Sequence, residues 1–99
     1  MNIEQLYNIY SQNYLVDTDT RKIRKNTIYF ALKGENFNGN TFAAQAIEKG
    51  AILSIVDEEK YANSDTVICV DDVLTTLQNL ANFHRKTLKV PIISLTGSN

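Results

Sequence analysis

The sequence has 99 residues, of which 43% are hydrophobic and 21% are charged, and its formal net charge is −1. These values are ordinary for a folded domain, and a chain of this length can bury roughly two thirds of the surface that its unfolded form exposes. The near-zero charge excludes the strongly positive field of a general nucleic-acid binder. We therefore expect one globular domain that does not have nucleic acid as a partner.

A single cysteine, Cys69, lies in the apolar run TVICV, where a thiol usually serves as a small buried hydrophobe. One cysteine provides neither a disulfide nor a zinc framework, which fits a reducing compartment. The N-terminal run MNIEQLYNIYSQNY is too polar for a secretory signal, and no apolar run has the length needed to span a bilayer. We expect a cytoplasmic monomer with no membrane partner.

The first part of the chain predicts one helix and two strands. The helix covers residues 3–11, with Asn2 and Gln5 placed as a capping box. Its apolar face is formed by Ile3, Leu6, Tyr7 and Tyr10. Residues 15–18 are a brief extended candidate, and residues 27–32 (TIYFAL) have the alternation and β-rich composition of a strand.

A basic run, TRKIRKN at residues 20–26, separates the two strands. It is either a solvated loop or a loop that faces an anion, and the charges alone fit both interpretations. Asn26 tolerates a left-handed backbone better than most residues do, which predicts a turn just before the second strand.

Residues 41–49 (TFAAQAIEK) predict a second helix with apolar residues on one face. Asn40 or Thr41 is placed to cap its N-terminus, and Gly50 follows where a C-cap glycine belongs. The free N–H groups at the start of this helix would then face the loop that precedes it.

Two apolar runs follow, at residues 52–56 (ILSIV) and 66–70 (TVICV), and their near-continuous apolarity predicts strands covered on both faces. Residues 72–88 predict the longest helix, with His84 packed or half-buried on its apolar side. A last apolar run begins at Pro91. The order of elements predicts an α/β fold with a small mixed, largely parallel sheet and flanking helices.

The segment KGENFNGN, residues 33–40, connects a strand to a helix and suits either a tight turn or a ligand-holding surface. Ligands of open α/β sheets bind beyond the carboxyl ends of the strands, where such loops gather. Glycines permit close approach, asparagines offer donors and acceptors, and Phe37 offers a flat face, an inventory that suits a nucleotide-like ligand. Tight turns also select Asn and Gly, however, and Phe37 could simply cover the core.

A second polar segment, DTDTR at residues 17–21, comes directly after the first strand candidate. In an extended backbone Thr18 and Thr20 would share one side, and the two carboxylates would share the other. The segment either forms a turn without helix in which Asp19 pairs with Arg21, or it directs a pair of hydroxyls at a ligand.

In combination, these motifs resemble those of the Mur ligases of bacterial peptidoglycan synthesis. The first domain of that family carries D-S/T-R, then a strand ending in F-x-A-L-x-G, then D-G-H before a helix that ends in G-A. Residues 18–51, TDTRKIRKNTIYFALKGENFNGNTFAAQAIEKGA, contain these elements in the same order and spacing. The sequence departs from the family at Asn38 and Asn40, where Asp and His are usual, and at Asn26, which replaces a common glycine.

The resemblance implies that residues 1–90 form a domain that binds the UDP end of UDP-N-acetylmuramoyl-tripeptide. In the family, uridine contacts come from the hydroxyl residue of D-S/T-R, from the position two before it, and from the three residues after the strand-ending glycine. Those positions here are Thr20, Thr18, Glu35, Asn36 and Phe37. The full substrate-binding set that we expect also includes Arg21, Lys33, Gly34, Asn38 and Gly39.

The tail PIISLTGSN, residues 91–99, resembles the strand and the first part of T-G-S/T-N-G-K-T with which the family's ATP-binding domain begins. The resemblance implies that the start of an ATP-binding loop is formed by Thr96, Gly97, Ser98 and Asn99. We then expect no catalytic residue, metal site or cofactor in residues 1–99. ATP and Mg would serve the full-length parent, which would also supply the ATP-binding and C-terminal domains.

Within the family, ALKGENFNG is most similar to the ligases that add D-alanyl-D-alanine to UDP-N-acetylmuramoyl-tripeptide. Ligases that add the third amino acid are the alternative. A different class of protein, a standalone interaction module in which residues 33–40 are only a turn, is the other hypothesis. We expect the binding domain of an ATP-dependent amide ligase, inactive by itself.

Overall fold

The computed structural model describes residues 2–89, in which three α-helices flank a four-stranded sheet. The helices are α1 (Ile3–Tyr10), α2 (Ala43–Glu48) and α3 (Val73–Lys89). The strands are β1 (Val16–Asp17), β2 (Ile28–Phe30), β3 (Lys33–Gly34), β4 (Phe37–Asn38), β5 (Leu53–Val56) and β6 (Val67–Cys69). The predicted strand and ATP-binding segment at residues 91–99 lie outside the described residues.

The main sheet has the strand order β1-β2-β5-β6, and every neighbouring pair is parallel. Ile28 lies opposite both Val16 and Leu53, which fixes the register of three strands. Antiparallel pairing occurs in the short β3–β4 hairpin. The predicted α/β fold with a largely parallel sheet is confirmed. Because β1, β2 and β5 run in the same direction, their carboxyl ends lie at the same edge of the sheet.

Each face of the sheet has its own apolar core. One core lies under α1 and α3 and consists of Leu6, Ile28, Phe30, Leu53, Ile55, Val73 and Leu80. The other lies under α2 and consists of Tyr29, Ala31, Ala43, Ala46, Ala51, Val56 and Val67. Burial of each large aliphatic side chain contributes roughly 1.5–3 kcal/mol. Because β2 and β5 contribute to both cores, they are covered on both faces, as the sequence predicts for β5.

Three of the predicted helix-end and turn signals have the expected geometry. The capping box of α1 is confirmed, since the Asn2 side chain accepts from the Gln5 backbone N–H at 2.8 Å and the Gln5 side chain accepts from that of Asn2 at 3.0 Å. Gly50 has a φ of +123° directly after α2, and Asn26 has a φ of +69°. Both left-handed residues were predicted, and both reverse the chain before a strand.

His84 is half-buried, as predicted, in an aromatic cluster between α1 and α3. Its Nδ1 lies 3.0 Å from the Tyr7 hydroxyl. The rings of Tyr10 and Tyr14 also lie against the imidazole, at centroid distances of 5.5 and 5.6 Å. This histidine therefore helps to pack α1 against α3, two helices that are far apart in the sequence.

Burial along β6 differs from the prediction. Val67 is buried, but Ile68 is half-buried and Cys69 is exposed. The apolar run does not end in a covered strand because β6 is an edge of the sheet within the described residues and pairs there with β5. The expectation that Cys69 is a buried hydrophobe was wrong.

The start of α2 also differs from the prediction. A 3-10 helix over Gly39–Phe42 precedes it, and the α-helix begins at Ala43 without a side-chain cap. The Asn38 side chain caps the 3-10 turn, whereas Asn40 is fully buried and Thr41 lies within the turn. Neither predicted N-cap residue takes that role. Over residues 2–89, no helix combines the length and apolarity that crossing a membrane requires.

Candidate functional site

The loops that follow β1 and β2 meet α2 around a groove of about 600 Å³, which we call the edge groove. It is lined by Thr18, Asp19, Thr20, Arg21, Phe37, Phe42, Gln45 and Lys49. The parallel sheet explains this meeting, because it places the carboxyl ends of β1 and β2 side by side. The structure thus brings the DTDTR segment and Phe37 of the second predicted loop to one surface.

The DTDTR segment forms a capped 3-10 turn over Thr20–Lys22, so the prediction of a turn without helix was wrong. Asp19 accepts a hydrogen bond from the Arg21 backbone N–H at 2.9 Å, and its carboxylate pairs with the Arg21 guanidinium at the same distance. The hydrogen bonds from Arg21 lower the pKa of Asp19 to about 2. The predicted pairing of Asp19 with Arg21 is confirmed, and it coexists with hydroxyls that line the groove.

Lys49 ties this turn to α2. Its Nζ donates to the Thr20 backbone carbonyl at 2.6 Å. Thr20 itself is buried, whereas Thr18 is exposed. Lys49 and Arg21 together bring two cationic side chains to the groove, beside the single carboxylate of Asp19.

A stacked pair of aromatic rings forms the apolar part of the edge groove. The rings of Phe37 and Phe42 lie with centroids 5.6 Å apart and planes inclined by 15°. Phe37 is 47% exposed, so it does not merely cover the core. An exposed flat ring of this kind is a surface on which a planar ligand group can stack.

Three groove residues were not selected from the sequence: Phe42, Gln45 and Lys49. Their spacing of three and then four positions is the signal that could have found them, because residues so spaced share one side of a helix. Phe42 was instead expected on the apolar face toward the core, and it does pack partly against the core beneath α2.

The loop at residues 33–40 is built on a hairpin that the sequence did not predict. Lys33 lies opposite Asn38, and Gly34 lies opposite Phe37. Glu35 and Asn36 form the exposed tip. A second depression, of about 410 Å³, is lined by Lys33, Gly34, Glu35, Asn36, Phe37, Asn38 and Glu58. Phe37 borders both depressions, so the predicted site residues divide between two adjoining surfaces.

The two asparagines that depart from the family pattern are hydrogen-bonded within the protein. Asn38 Oδ1 accepts from the backbone N–H and the side-chain amide of Asn40, at 3.0 and 2.8 Å. Asn40 is fully buried, and it donates to Asp57 Oδ1 at 3.0 Å while its own Oδ1 accepts from the Asp57 N–H at 2.9 Å. These bonds fasten the end of the loop to the end of β5.

Gly39 is buried between these asparagines and packs against the protein's own backbone. A Cβ at this position would lie 2.6 Å from the Leu32 carbonyl oxygen, which accepts the Gly39 N–H at 2.9 Å. The Gly39 carbonyl accepts from the Tyr29 hydroxyl at 3.0 Å, and burial raises the pKa of Tyr29 to about 12. At Gly34, by contrast, the nearest atom would be 3.9 Å away. The close approach of the backbone that Gly39 permits is therefore to the protein itself, and it serves internal packing.

Asp57 and Glu58, which follow β5, were also missed, although their place at a strand's carboxyl end was the available signal. Lys33 Nζ lies 3.2 Å from Asp57 and 3.1 Å from Glu58. These contacts, led by Glu58, raise the pKa of Lys33, and the hydrogen bond from Asn38 followed by that from Lys33 lowers the pKa of Glu58. We call the set Lys33, Asn38, Asn40, Asp57 and Glu58 the loop clamp.

The fold and the groove define an α/β domain whose carboxyl-edge loops offer hydroxyls, an amide, cations and stacked rings. A family model described as "Mur ligase family, catalytic domain" matches residues 13–95. The chain belongs to the Mur ligase family.

Relatives of two kinds are similar to this chain. The UDP-N-acetylmuramoyl-tripeptide–D-alanyl-D-alanine ligase of Bacillus subtilis is 41% identical over 85% of the chain and 19% of its own length. The UDP-N-acetylmuramoyl-L-alanyl-D-glutamate–2,6-diaminopimelate ligase of Rickettsia typhi is 36% identical over 99% of the chain and 20% of its own length. The chain thus spans about a fifth of the length of these relatives.

Solved structures agree with this family. The MurF ligase of Thermotoga maritima, in complex with ADP, matches 74% of this chain and 17% of its own, with 27% identity and a TM-score of 0.69. A MurF structure from Acinetobacter baumannii matches 73% of this chain and 16% of its own, with 28% identity and a TM-score of 0.60. The similarity is therefore confined to a small part of each of these proteins.

Proposed function

We propose that this chain is the part of a UDP-N-acetylmuramoyl-tripeptide–D-alanyl-D-alanine ligase that binds the UDP end of the muramoyl peptide. The observation that carries the proposal is the edge groove, which unites the 3-10 turn at Thr20–Lys22 with Phe37 and the aromatic pair. The groove joins the first of the two segments that resemble the family's uridine-binding motifs to Phe37 of the second, whose Glu35 and Asn36 line the adjoining depression. The similarity to the B. subtilis ligase supports D-alanyl-D-alanine as the group that the parent enzyme adds.

The chemistry of the groove suggests how a uridine diphosphate would lie in it. The pyrimidine ring would stack on Phe37, whose exposed face continues onto Phe42. Hydroxyls of Thr18 and Thr20 and the amide of Gln45 offer hydrogen bonds to the ribose and the base edge. Arg21 and Lys49 offer positive charge to the diphosphate.

The remaining predicted residues divide by exposure. Glu35 and Asn36 are exposed at the hairpin tip and are free to reach a ligand, as is Gly34 at the end of β3. Lys33, Asn38 and Gly39 bond or pack against the protein itself, so we assign them the task of shaping the loop.

In the proposed parent reaction, ATP phosphorylates the substrate carboxylate and the amine of D-alanyl-D-alanine displaces the phosphate. We assign residues 1–90 to the UDP-binding domain and residues 91–99, including Thr96, Gly97, Ser98 and Asn99, to the start of the ATP-binding domain. Within residues 2–89 no cluster of His, Cys, Asp and Glu suited to a metal ion is found. By analogy with the Mur ligase family, we assign ATP and Mg to the rest of the parent. The described residues would bind and orient the substrate.

An NMR titration with UDP, UDP-N-acetylmuramoyl-tripeptide and ATP, each added separately, tests this assignment. We expect shifts at residues 18–21 and 33–40 with both uridine ligands and little change with ATP. Unchanged resonances in those loops at saturating UDP-N-acetylmuramoyl-tripeptide would contradict the site. ATP hydrolysis by residues 1–99 alone would contradict the assignment of a non-catalytic domain.

A matched pair of variants tests the stacking surface. Phe37→Ala should weaken UDP binding about tenfold, because stacking of a base on an aromatic ring contributes about 1–3 kcal/mol. Leu88→Ala removes another exposed apolar side chain, on α3, and should leave UDP binding unchanged. Equal affinities for the two variants would show that Phe37 is not the stacking residue.

The diaminopimelate ligase of R. typhi favours a second candidate, a ligase that adds the third amino acid. Assays of the full-length parent with each amine separate the two, since the proposed enzyme should accept D-alanyl-D-alanine and reject diaminopimelate. The gene beyond Asn99 separates both from a standalone interaction module. Gly-Lys-Thr at the next codons supports a ligase, and a stop codon supports the module.

A further inference from the structure

We infer that the loop clamp positions the hairpin for nucleotide binding, and that Glu58 is its main positioning residue. This inference rests on the proposed function, since it concerns the geometry of the same groove. None of the sequence motifs pointed to Glu58, which lies two residues beyond the end of β5. In this inference Glu58 acts on the groove indirectly, because it fixes the position of Phe37 in the hairpin.

Glu58 is bonded to both strands of the hairpin. Asn38 of β4 donates to Glu58 Oε2 at 2.7 Å, and Lys33 of β3 contacts the same oxygen at 3.1 Å. Lys33 and Asn38 lie directly opposite each other, so they form one rung of the hairpin. A single carboxylate oxygen thus holds both sides of that rung at the end of β5.

The next rung of the hairpin carries the groove residue. Gly34 lies opposite Phe37, adjacent to the rung that Glu58 holds. A hairpin of two residues per strand has little stability of its own in water. Its orientation must therefore come from tertiary contacts, and the clamp supplies charge-assisted hydrogen bonds at its base.

Asn40 and Asp57 support the same arrangement from beneath. The fully buried Asn40 amide bonds both the Asp57 carboxylate and the Asp57 backbone N–H. Asp57 also contacts Lys33 at 3.2 Å. Lys60 lies 3.7 Å from the other oxygen of Glu58, and the Asn40 amide also donates to Oε2, at 3.5 Å. The end of β5 and the base of the hairpin are consequently one bonded unit.

A set of Glu58 variants tests this inference through UDP affinity. Glu58→Ala removes the shared acceptor and should weaken UDP binding about tenfold, the equivalent of one charge-assisted hydrogen bond. Glu58→Gln keeps an acceptor oxygen for Asn38 and should recover most of the affinity. Glu59→Ala, which removes the neighbouring exposed glutamate, should bind UDP as the wild type does.

A double-mutant cycle separates positioning from a general loss of structure. If Glu58 acts through Phe37, adding Glu58→Ala to Phe37→Ala should weaken UDP binding by less than the product of the two single effects. The nuclear Overhauser contact between the Phe37 and Phe42 rings should also weaken in ligand-free Glu58→Ala and persist in Glu58→Gln. Thermal unfolding of each variant shows that the comparison is made between folded proteins.

The outcomes distinguish the inference from the function on which it rests. If the wild type does not bind UDP, the proposed function fails. If the wild type binds UDP and Glu58→Ala binds it equally well, the inference fails while the function stands. Fully multiplicative effects in the double-mutant cycle would likewise overturn the inference, because Glu58 would then act independently of Phe37.

Discussion

The two halves of the segment at residues 33–40 both contain glycine and asparagine but have different surroundings. Residues 33–37 contribute a hairpin strand, an exposed tip and the exposed ring of Phe37. Residues 38–40 are turned inward, with Gly39 and Asn40 buried and Asn38 bonded to Glu58. Asn and Gly therefore serve two purposes here, one at the surface and one as internal structure. The contacts that an Asn or Gly makes show which purpose it serves, whereas the residue type alone does not.

The largest expected difference between the halves concerns their asparagines. Asn40→Ala leaves the Asp57 carboxylate and backbone N–H without their buried partner, and it should lower the free energy of unfolding by about 3 kcal/mol. Asn36→Ala at the exposed tip should change it by less than about 0.5 kcal/mol. Urea unfolding of both variants measures the difference, and similar values would abolish the distinction between the halves.

The glycines of the two halves should differ in the same direction, with the larger loss of stability on substitution of the inward one. Gly39→Ala places a Cβ 2.6 Å from the Leu32 carbonyl oxygen, so the backbone must shift, at an expected cost of about 2 kcal/mol. Gly34→Ala meets its nearest atom at 3.9 Å and should change stability by less than about 0.5 kcal/mol. A Gly39→Ala variant as stable as the wild type would show that the packing around Leu32 yields easily.

A smaller effect is expected at Tyr29, which supports the inward half from the sheet. Tyr29→Phe removes the buried hydroxyl that donates to the Gly39 carbonyl, and it should cost about 1 kcal/mol of stability. Tyr14→Phe, at an exposed tyrosine, is the matched control and should cost little. Equal melting temperatures for the two variants would contradict a role for this hydrogen bond.

The smallest effect on stability is expected when acid protonates Glu58. The folded protein holds the pKa of Glu58 below its ordinary value of 4.5. The ionised carboxylate therefore stabilises the fold above that value, and this contribution is lost as the pH falls through the lowered pKa. Unfolding measured between about pH 6 and about pH 3 should show a smaller loss for Glu58→Gln than for the wild type. Glu59→Gln, the control, should follow the wild type.

Much of the fold could be predicted because its signals are local. The capping box at Asn2 and Gln5, the left-handed Asn26 and the C-terminal Gly50 depend on a few neighbouring residues, and each has the predicted geometry. The apolar runs likewise identified the central strands β2 and β5. Cys69 was misjudged because its exposure depends on which strand forms the edge of the sheet, and that is a property of the assembled sheet.

The site was predictable only in part, for a related reason. Thr18, Thr20, Arg21 and Phe37 were selected from sequence and lie together at the edge groove. The hairpin was missed because each of its strands has two residues, too few for a periodic pattern. Its partners Asp57 and Glu58 come from a distant part of the chain and were passed over as polar loop residues. Contacts of this kind appear only when the topology is known.

The contact between Tyr7 and His84 has a consequence for how the chain is made. These residues are 77 positions apart, so they span almost all of the described sequence. Synthesis proceeds from the N-terminus, and α1 therefore exists well before its partner helix has left the ribosome. Until then the apolar face of α1 has no α3 to cover it. The contact between α1 and α3 can therefore form only after most of the described residues have been synthesised.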